Sequence, residues 1–183
     1  MDFNLVMKKL LAAFESEGIR YALMGGFALG FWGVHRATVD IDFLVDRDDL
    51  DKISHIMTEL GYDCLHQTEN VSQYVSPLAI LGEIDFIHAF RKISMSMMRR
   101  AEEKKIFDGS LTIKVLEPED LIGLKVQAMA NDKARWAADL ADIEGIMALR
   151  GKDLDWSMIE EYFALFSLEE TARELRKKYG GSH

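Results

Sequence analysis

The stretch "LMGGFALGFWGVHRATVDIDFLVD", residues 23–46, decides how the chain is read. Gly25 and Gly26 open a short apolar run, and Asp40 and Asp42 stand one residue apart in a segment of alternating polarity. On a strand, residues i and i+2 project to the same side. The pattern therefore places Val39, Ile41, Phe43 and Val45 on one face, and Asp40, Asp42 and Leu44 on the other. Two ionised carboxylates so close repel each other unless a cation or a shared proton intervenes. Mg²⁺ is a hard ion that takes such oxygens together with substrate phosphates, and Mn²⁺ shares that preference.

A third carboxylate on a neighbouring strand would complete a metal site. Asp85 in "GEIDFIHAF" (82–90) is the natural choice, flanked by apolar Ile84 and Phe86 on the opposite face. The glycine pair supplies a complementary feature where a strand turns into a helix. Without side chains the backbone can approach an anion closely, and a helix start offers free N–H groups. Gly25 and Gly26 are thus expected to hold the phosphates, and Asp40, Asp42 and Asp85 the metal that those phosphates share. The chemistry implied is in-line attack on a nucleoside triphosphate.

Outward from this stretch, the spacing predicts a helix over 3–17, with Phe3, Val6, Leu10 and Phe14 on one face. A strand at "RYALMG" leads to a short helix from the glycine pair to near Gly33, and "TVDIDFLV" is the next strand. Asp46 caps a helix over "RDDLDKISHIMTEL", which Gly61 stops. Strands follow at "YDCLHQ", "VSQYVS" and "GEIDFIHAF", then a helix over 92–104 and a strand at "LTIKVLE". From Pro118 the pattern is helical only, with Glu119 and Asp120 in a first turn. Trp136, Leu140, Ile143 and Met147 form an apolar stripe ended by Gly151, and Trp156, Ile159 and Phe163 mark another helix. "SLEE" (167–170) reads as the capping box of a last helix. The expected fold class is α+β, with a mixed core over 1–116 and a helical segment over 117–183 packed on it without a flexible linker. The final "GGSH" has no pattern and reads as a frayed tail.

Composition limits the function classes. With 22 Lys and Arg against 31 Asp and Glu, the formal charge of −9 disfavours broad binding to duplex DNA. No apolar run reaches the roughly 18 residues of a membrane span, and the first residues lack the pattern of a signal peptide, so a cytoplasmic protein with no membrane partner is expected. Cys64 stands alone, which excludes an internal disulfide and points to a packing role. His35, His55, His66 and His88 lack metal-ligand spacing.

"GGFALGFWGVHRATVDIDFLV" resembles the signature of the nucleotidyltransferase superfamily with the DNA polymerase β-like fold. Its form is similar to the small bacterial minimal nucleotidyltransferases and AbiEii-type toxins. The segment "EPEDLIGLKVQAMANDKARWAADLADIEGI" resembles their helical part, with its lysine and paired aspartates. The resemblance implies a mixed sheet flanked by helices, and an ATP- or other NTP-using transferase with Mg²⁺ or Mn²⁺. Gly25 and Gly26 would bind phosphates, Asp40 and Asp42 would hold metal, and Asp85 would be the third ligand, able to activate an acceptor hydroxyl. The acceptor would be a protein, a tRNA or a small molecule, and a cognate toxin or antitoxin is an implied partner.

Other residues carry two readings each. Arg36 reads either as a phosphate clamp or as a solvated loop arginine. Lys125 either reaches the triphosphate or is an exposed helix lysine. Thr38 reads as a strand former, and Arg135, Asp139 and Asp142 as a solvated ion-pair face or a functional group. Many superfamily members carry Gly-Ser in place of Gly25-Gly26. That variant motivates the alternative of a non-catalytic, antitoxin-like protein that keeps the fold; a phosphohydrolase is a third reading.

Overall fold

Strand β2 (Asp40–Asp46) lies in the middle of the sheet, parallel to β5 (Glu83–Ala89) on one side and antiparallel to β1 (Tyr21–Met24) on the other. Around it, the computed structural model describes residues 1–181. The frayed tail expected over 180–183 extends onto Ser182 and His183, which lie outside the described residues. With β3 (Asp63–Gln67), β4 (Val71–Val75), β6 (Glu102–Ile106) and β7 (Leu111–Val115), the described residues form one mixed sheet in the order β3-β4-β5-β2-β1-β7-β6. The fold class is α+β, the mixed sheet being accompanied by helices.

The chain divides into two units, residues 1–28 with 36–116, and residues 29–35 with 117–183. In the first, helix α1 (Phe3–Glu17) is capped by Asp2, whose side chain accepts from the Leu5 N–H, and ends at Gly18 in the left-handed region. Its apolar face buries Val6, Met7, Leu10, Leu11 and Phe14. Phe14 meets Phe43 edge-on at 5.5 Å, and Phe43 stacks on Phe86 at 6.0 Å. Alternation places Ile41 and Phe43 on this face, with Ile84 and Phe86 beside them on β5, all fully buried. A 3-10 turn at 47–49 leads into helix α3 (Leu50–Glu59), which buries Ile53, Ile56 and Met57.

Several local expectations change. Strand β2 begins at Asp40, so Val39 lies outside the buried face and is 77% exposed. Leu44 is as buried as its neighbours, so at this end the strand is covered on both faces. Cys64 is exposed rather than packed. The helix expected over 92–104 stops at Arg100 (α4, Lys92–Arg100), and β6 follows. Residues 102–106 carry helix-favouring Glu and Lys, but pairing with β7 in register from Glu102↔Val115 to Ile106↔Leu111 overrides that local preference.

The second unit takes in the end of helix α2 (Gly25–Phe31) and four helices: α5 (Pro118–Asn131), α6 (Trp136–Arg150), α7 (Trp156–Ala164) and α8 (Glu169–Tyr179). Helix α5 is buried on most sides and is the centre of this unit. Asp120 is fully buried and accepts from the Tyr162 hydroxyl at 2.6 Å, while Glu119 accepts from the Asp155 N–H at 2.8 Å. On α6 the buried residues are Asp139, Ile143, Ile146 and Met147; Trp136 and Leu140, expected in the stripe, are half-buried. The capping box at Ser167 does not form: Leu168 takes the cap position without a side-chain hydrogen bond, and Ser167 has φ of 57°. No helix of the described residues is long and apolar enough to cross a membrane.

His88, buried on β5, gives the first unit a measurable pH response. Its Nδ1–H donates to the Glu69 carbonyl at 3.1 Å, which leaves Nε2 to accept from the Ser72 hydroxyl at 3.0 Å. Burial lowers the His88 pKa below its ordinary value, the Glu69 contact partly opposes this, and the Arg47 charge adds to the lowering. The unfolded chain therefore binds a proton at a pH where the folded chain does not, and stability falls as pH drops through the unfolded value of about 6.5. In urea unfolding between about pH 7.5 and 5.5, His88→Gln is expected to show a shallower loss of stability than wild type.

Candidate functional site

Each side chain of the candidate site is placed by register. Strands β2 and β5 run parallel with Asp42 opposite Asp85 and Asp40 opposite Glu83. Because Ile41, Phe43, Ile84 and Phe86 point into the core, the acidic residues share the opposite face. One carboxylate oxygen from each of Asp40, Asp42 and Asp85 lies within 4.8 Å of the others, and all three residues are half-buried. Burial pushes the Asp85 carboxyl up, a hydrogen bond from Gln73 pulls it back, and the charges of Asp40 and Glu83 raise it again, so the net pKa lies above the usual carboxylate range.

The glycine turn is shaped around these oxygens. Gly25 has φ of +68°, and a Cβ placed on it would lie 1.8 Å from Asp42 Oδ2. A Cβ on Gly26 would lie 2.8 Å from Thr38 Oγ1 and 3.0 Å from an Arg36 guanidinium nitrogen. Only glycine lets β1 turn into α2 this close to the Asp42 carboxylate. The site thus offers three hard oxygen donors and bare backbone beside them, a donor set that fits Mg²⁺ or Mn²⁺ and a bound polyphosphate.

Two contacts were not legible in the sequence. The Thr38 hydroxyl donates to Asp40 Oδ1 at 2.9 Å, so this residue does more than favour an extended backbone. The Gln73 amide, opposite Asp85 on β4, donates to Asp85 Oδ2 at 3.1 Å. Arg36 is exposed, donates to the Ala37 carbonyl at 3.3 Å, and lines the Gly26 side of the turn.

Lys125 belongs to the helical unit and is buried, so of its two readings that of an exposed helix lysine does not hold. Its ammonium is 3.1 Å from Asp139 Oδ1 and 2.6 Å from Asp142 Oδ2, with the side chain 10% exposed. Arg135 Nε reaches the other Asp139 oxygen at 3.0 Å. Of the ion-pair face, Asp139 and Asp142 are therefore largely withdrawn from solvent, while Arg135 stays exposed. Burial alone would push the Asp139 carboxyl up; the Arg135 hydrogen bond and the Lys125 charge outweigh it, and its pKa falls below the ordinary value. The i, i+4, i+7 spacing carried the signal, but the residue on α5 that closes the cluster could not be paired with it from sequence.

A protein-family model described as "Uncharacterised nucleotidyltransferase" matches residues 3–176. The solution structure of the antibiotic-resistance factor ANT(2'')-Ia is similar with a TM-score of 0.66 at 18% identity, over 97% of this chain and 99% of that one. The lincosamide antibiotic adenylyltransferase LnuA, bound to lincomycin, gives a TM-score of 0.53 at 16% identity over 78% and 96% of the two chains. A putative nucleotidyltransferase from Thermotoga maritima gives 0.54 at 14% identity over 76% and 92%. At these identities the likeness is one of fold. No curated protein matches the sequence significantly.

Two variants probe this geometry. Asp42→Asn removes one of three clustered carboxylate charges, so calorimetric Mn²⁺ binding should be lost. Lys125→Met removes the buried ammonium that Asp139 and Asp142 share and should cost about 3 kcal/mol in urea unfolding.

Proposed function

The chain belongs to the nucleotidyltransferase family whose model spans residues 3–176, and from that premise we propose that it transfers a nucleoside monophosphate from an NTP to a hydroxyl acceptor, releasing pyrophosphate. The observation that carries this reading is the convergence of Asp40, Asp42 and Asp85 within 4.8 Å beside a turn that has no side chains. Asp40, Asp42 and Asp85 would hold the divalent cation. When bound, Mg²⁺ or Mn²⁺ supplies charge neutralisation for the attacking and leaving oxygens.

The chain's own residues do the rest. Backbone at Gly25 and Gly26 lies against the triphosphate, with Arg36 on the same side of the turn as a phosphate clamp. The acceptor oxygen bonds to the α-phosphorus as the bond to the β-phosphate oxygen breaks, and pyrophosphate departs. The acceptor's proton passes to Asp85, which stands opposite Asp42 on the neighbouring strand. Lys125 carries the weaker assignment to nucleotide, because its ammonium is already held by Asp139 and Asp142.

A small hydroxylated molecule is the acceptor class we favour. Two of the similar folds are named as an antibiotic-resistance factor and an antibiotic adenylyltransferase, and the net charge of −9 opposes an extended polyanionic partner. Transfer to a tRNA end or a protein side chain is the arm that a toxin–antitoxin role would require.

The test is incubation with α-labelled NTPs, Mg²⁺ and three acceptor pools: small metabolites, tRNA and protein. Label should reach an acceptor with stoichiometric pyrophosphate in wild type, and fall by more than about a hundredfold in Asp40→Asn. Release of free phosphate instead, or equal transfer by both proteins, would overturn the assignment.

A further inference from the structure

The sheet face that bears the carboxylates contains one neutral amide where the strand pattern calls for an apolar residue. On β4, Val71, Gln73 and Val75 form one row, opposite Ile87, Asp85 and Glu83 of β5. Ser72 and Tyr74 take the buried face. Gln73 thus stands between two valines, and its Nε2 donates to Asp85 Oδ2 at 3.1 Å. The Thr38 hydroxyl does the same for Asp40, from the approach to β2.

We propose that Gln73 is a positioning residue of the metal site, its amide fixing the rotation of the Asp85 carboxylate relative to Asp40 and Asp42. This inference rests on the metal-site reading given above. A carboxylate on a strand is free to rotate about its terminal bond, and rotation is opposed only by what its oxygens touch. A hydrogen bond to one oxygen restricts that rotation before a cation arrives. The choice of donor matters as well. Lys or Arg opposite Asp85 would form an ion pair that competes with the cation, whereas a neutral carboxamide donates without cancelling the negative charge. Such outer partners of ligating carboxylates affect metal affinity about 10–100-fold.

The test uses the full chain with Gln73→Met, which keeps the length of the side chain and removes its donor. Mn²⁺ binding is followed by electron paramagnetic resonance of the free ion without nucleotide, and melting is measured in EDTA. Gln73→Met should weaken Mn²⁺ binding about tenfold with unchanged melting, and turnover should recover as Mn²⁺ is raised. Wild-type Mn²⁺ affinity in the variant would overturn the proposal, whether or not its melting falls. A second measurement needs no change at position 73: the Gln73 side-chain amide resonance should shift when Mg²⁺ is added to wild type, and an unmoved resonance would also overturn it. Asp85→Asn separates the two readings. If Asp85→Asn loses Mn²⁺ binding and Gln73→Met does not, the positioning role alone fails; if Asp85→Asn binds as wild type, the metal site itself fails.

Discussion

Three carboxylates held within 4.8 Å of one another set the terms for the rest of the first unit. Like charges at this range repel, and nothing in their own chemistry keeps them together. The force that does so comes from the opposite face of the same strands. Ile41 and Phe43 on β2, with Ile84 and Phe86 on β5, are fully buried, and both phenylalanines pack against Phe14. The alternation of a strand converts that apolar burial into convergence of the aspartates, because a residue cannot leave one face without moving its neighbours off the other. Aromatic packing thus supports an arrangement that electrostatics opposes.

The same constraint explains the glycine pair. A sheet that fixes Asp42 leaves no room for a Cβ at position 25, and the turn from β1 into α2 has to pass there at positive φ. The glycines and the aspartates that follow them are therefore one structural unit and not two adjacent motifs. Helix α2 spans only seven residues. The close approach of bare backbone to Asp42, more than any helix dipole, is what distinguishes this turn.

The helical unit handles charge differently. Lys125, Asp139 and Asp142 are largely withdrawn from solvent, and Arg135 covers the group from the outside. Buried ion pairs of this kind contribute little net stability, yet they are costly to break, so they fix how α5 and α6 pack. Among the carboxylates of the first unit, burial raises Asp85.

What the sequence determined by itself was periodic and local. Period two placed Asp40 and Asp42 on one side of a strand, apolar flanks marked Asp85 as mid-strand, helical spacing gave α1, α6 and α7, and Pro118 with its acidic first turn marked α5. Those signals survive because core burial and backbone geometry act over a few residues. Tertiary structure decided what depends on a partner far along the chain. Glu102–Ile106 is composed like a helix and becomes β6 because β7 offers hydrogen bonds. Val39 looks like core but lies just before the first residue that pairs. Gln73 and Thr38 look incidental until register and the chain's path bring them to Asp85 and Asp40, and Lys125 looks exposed until α6 closes over it. Each of these contacts spans a distance in sequence, or a turn of the backbone, that periodicity does not encode, and only the folded chain supplies it.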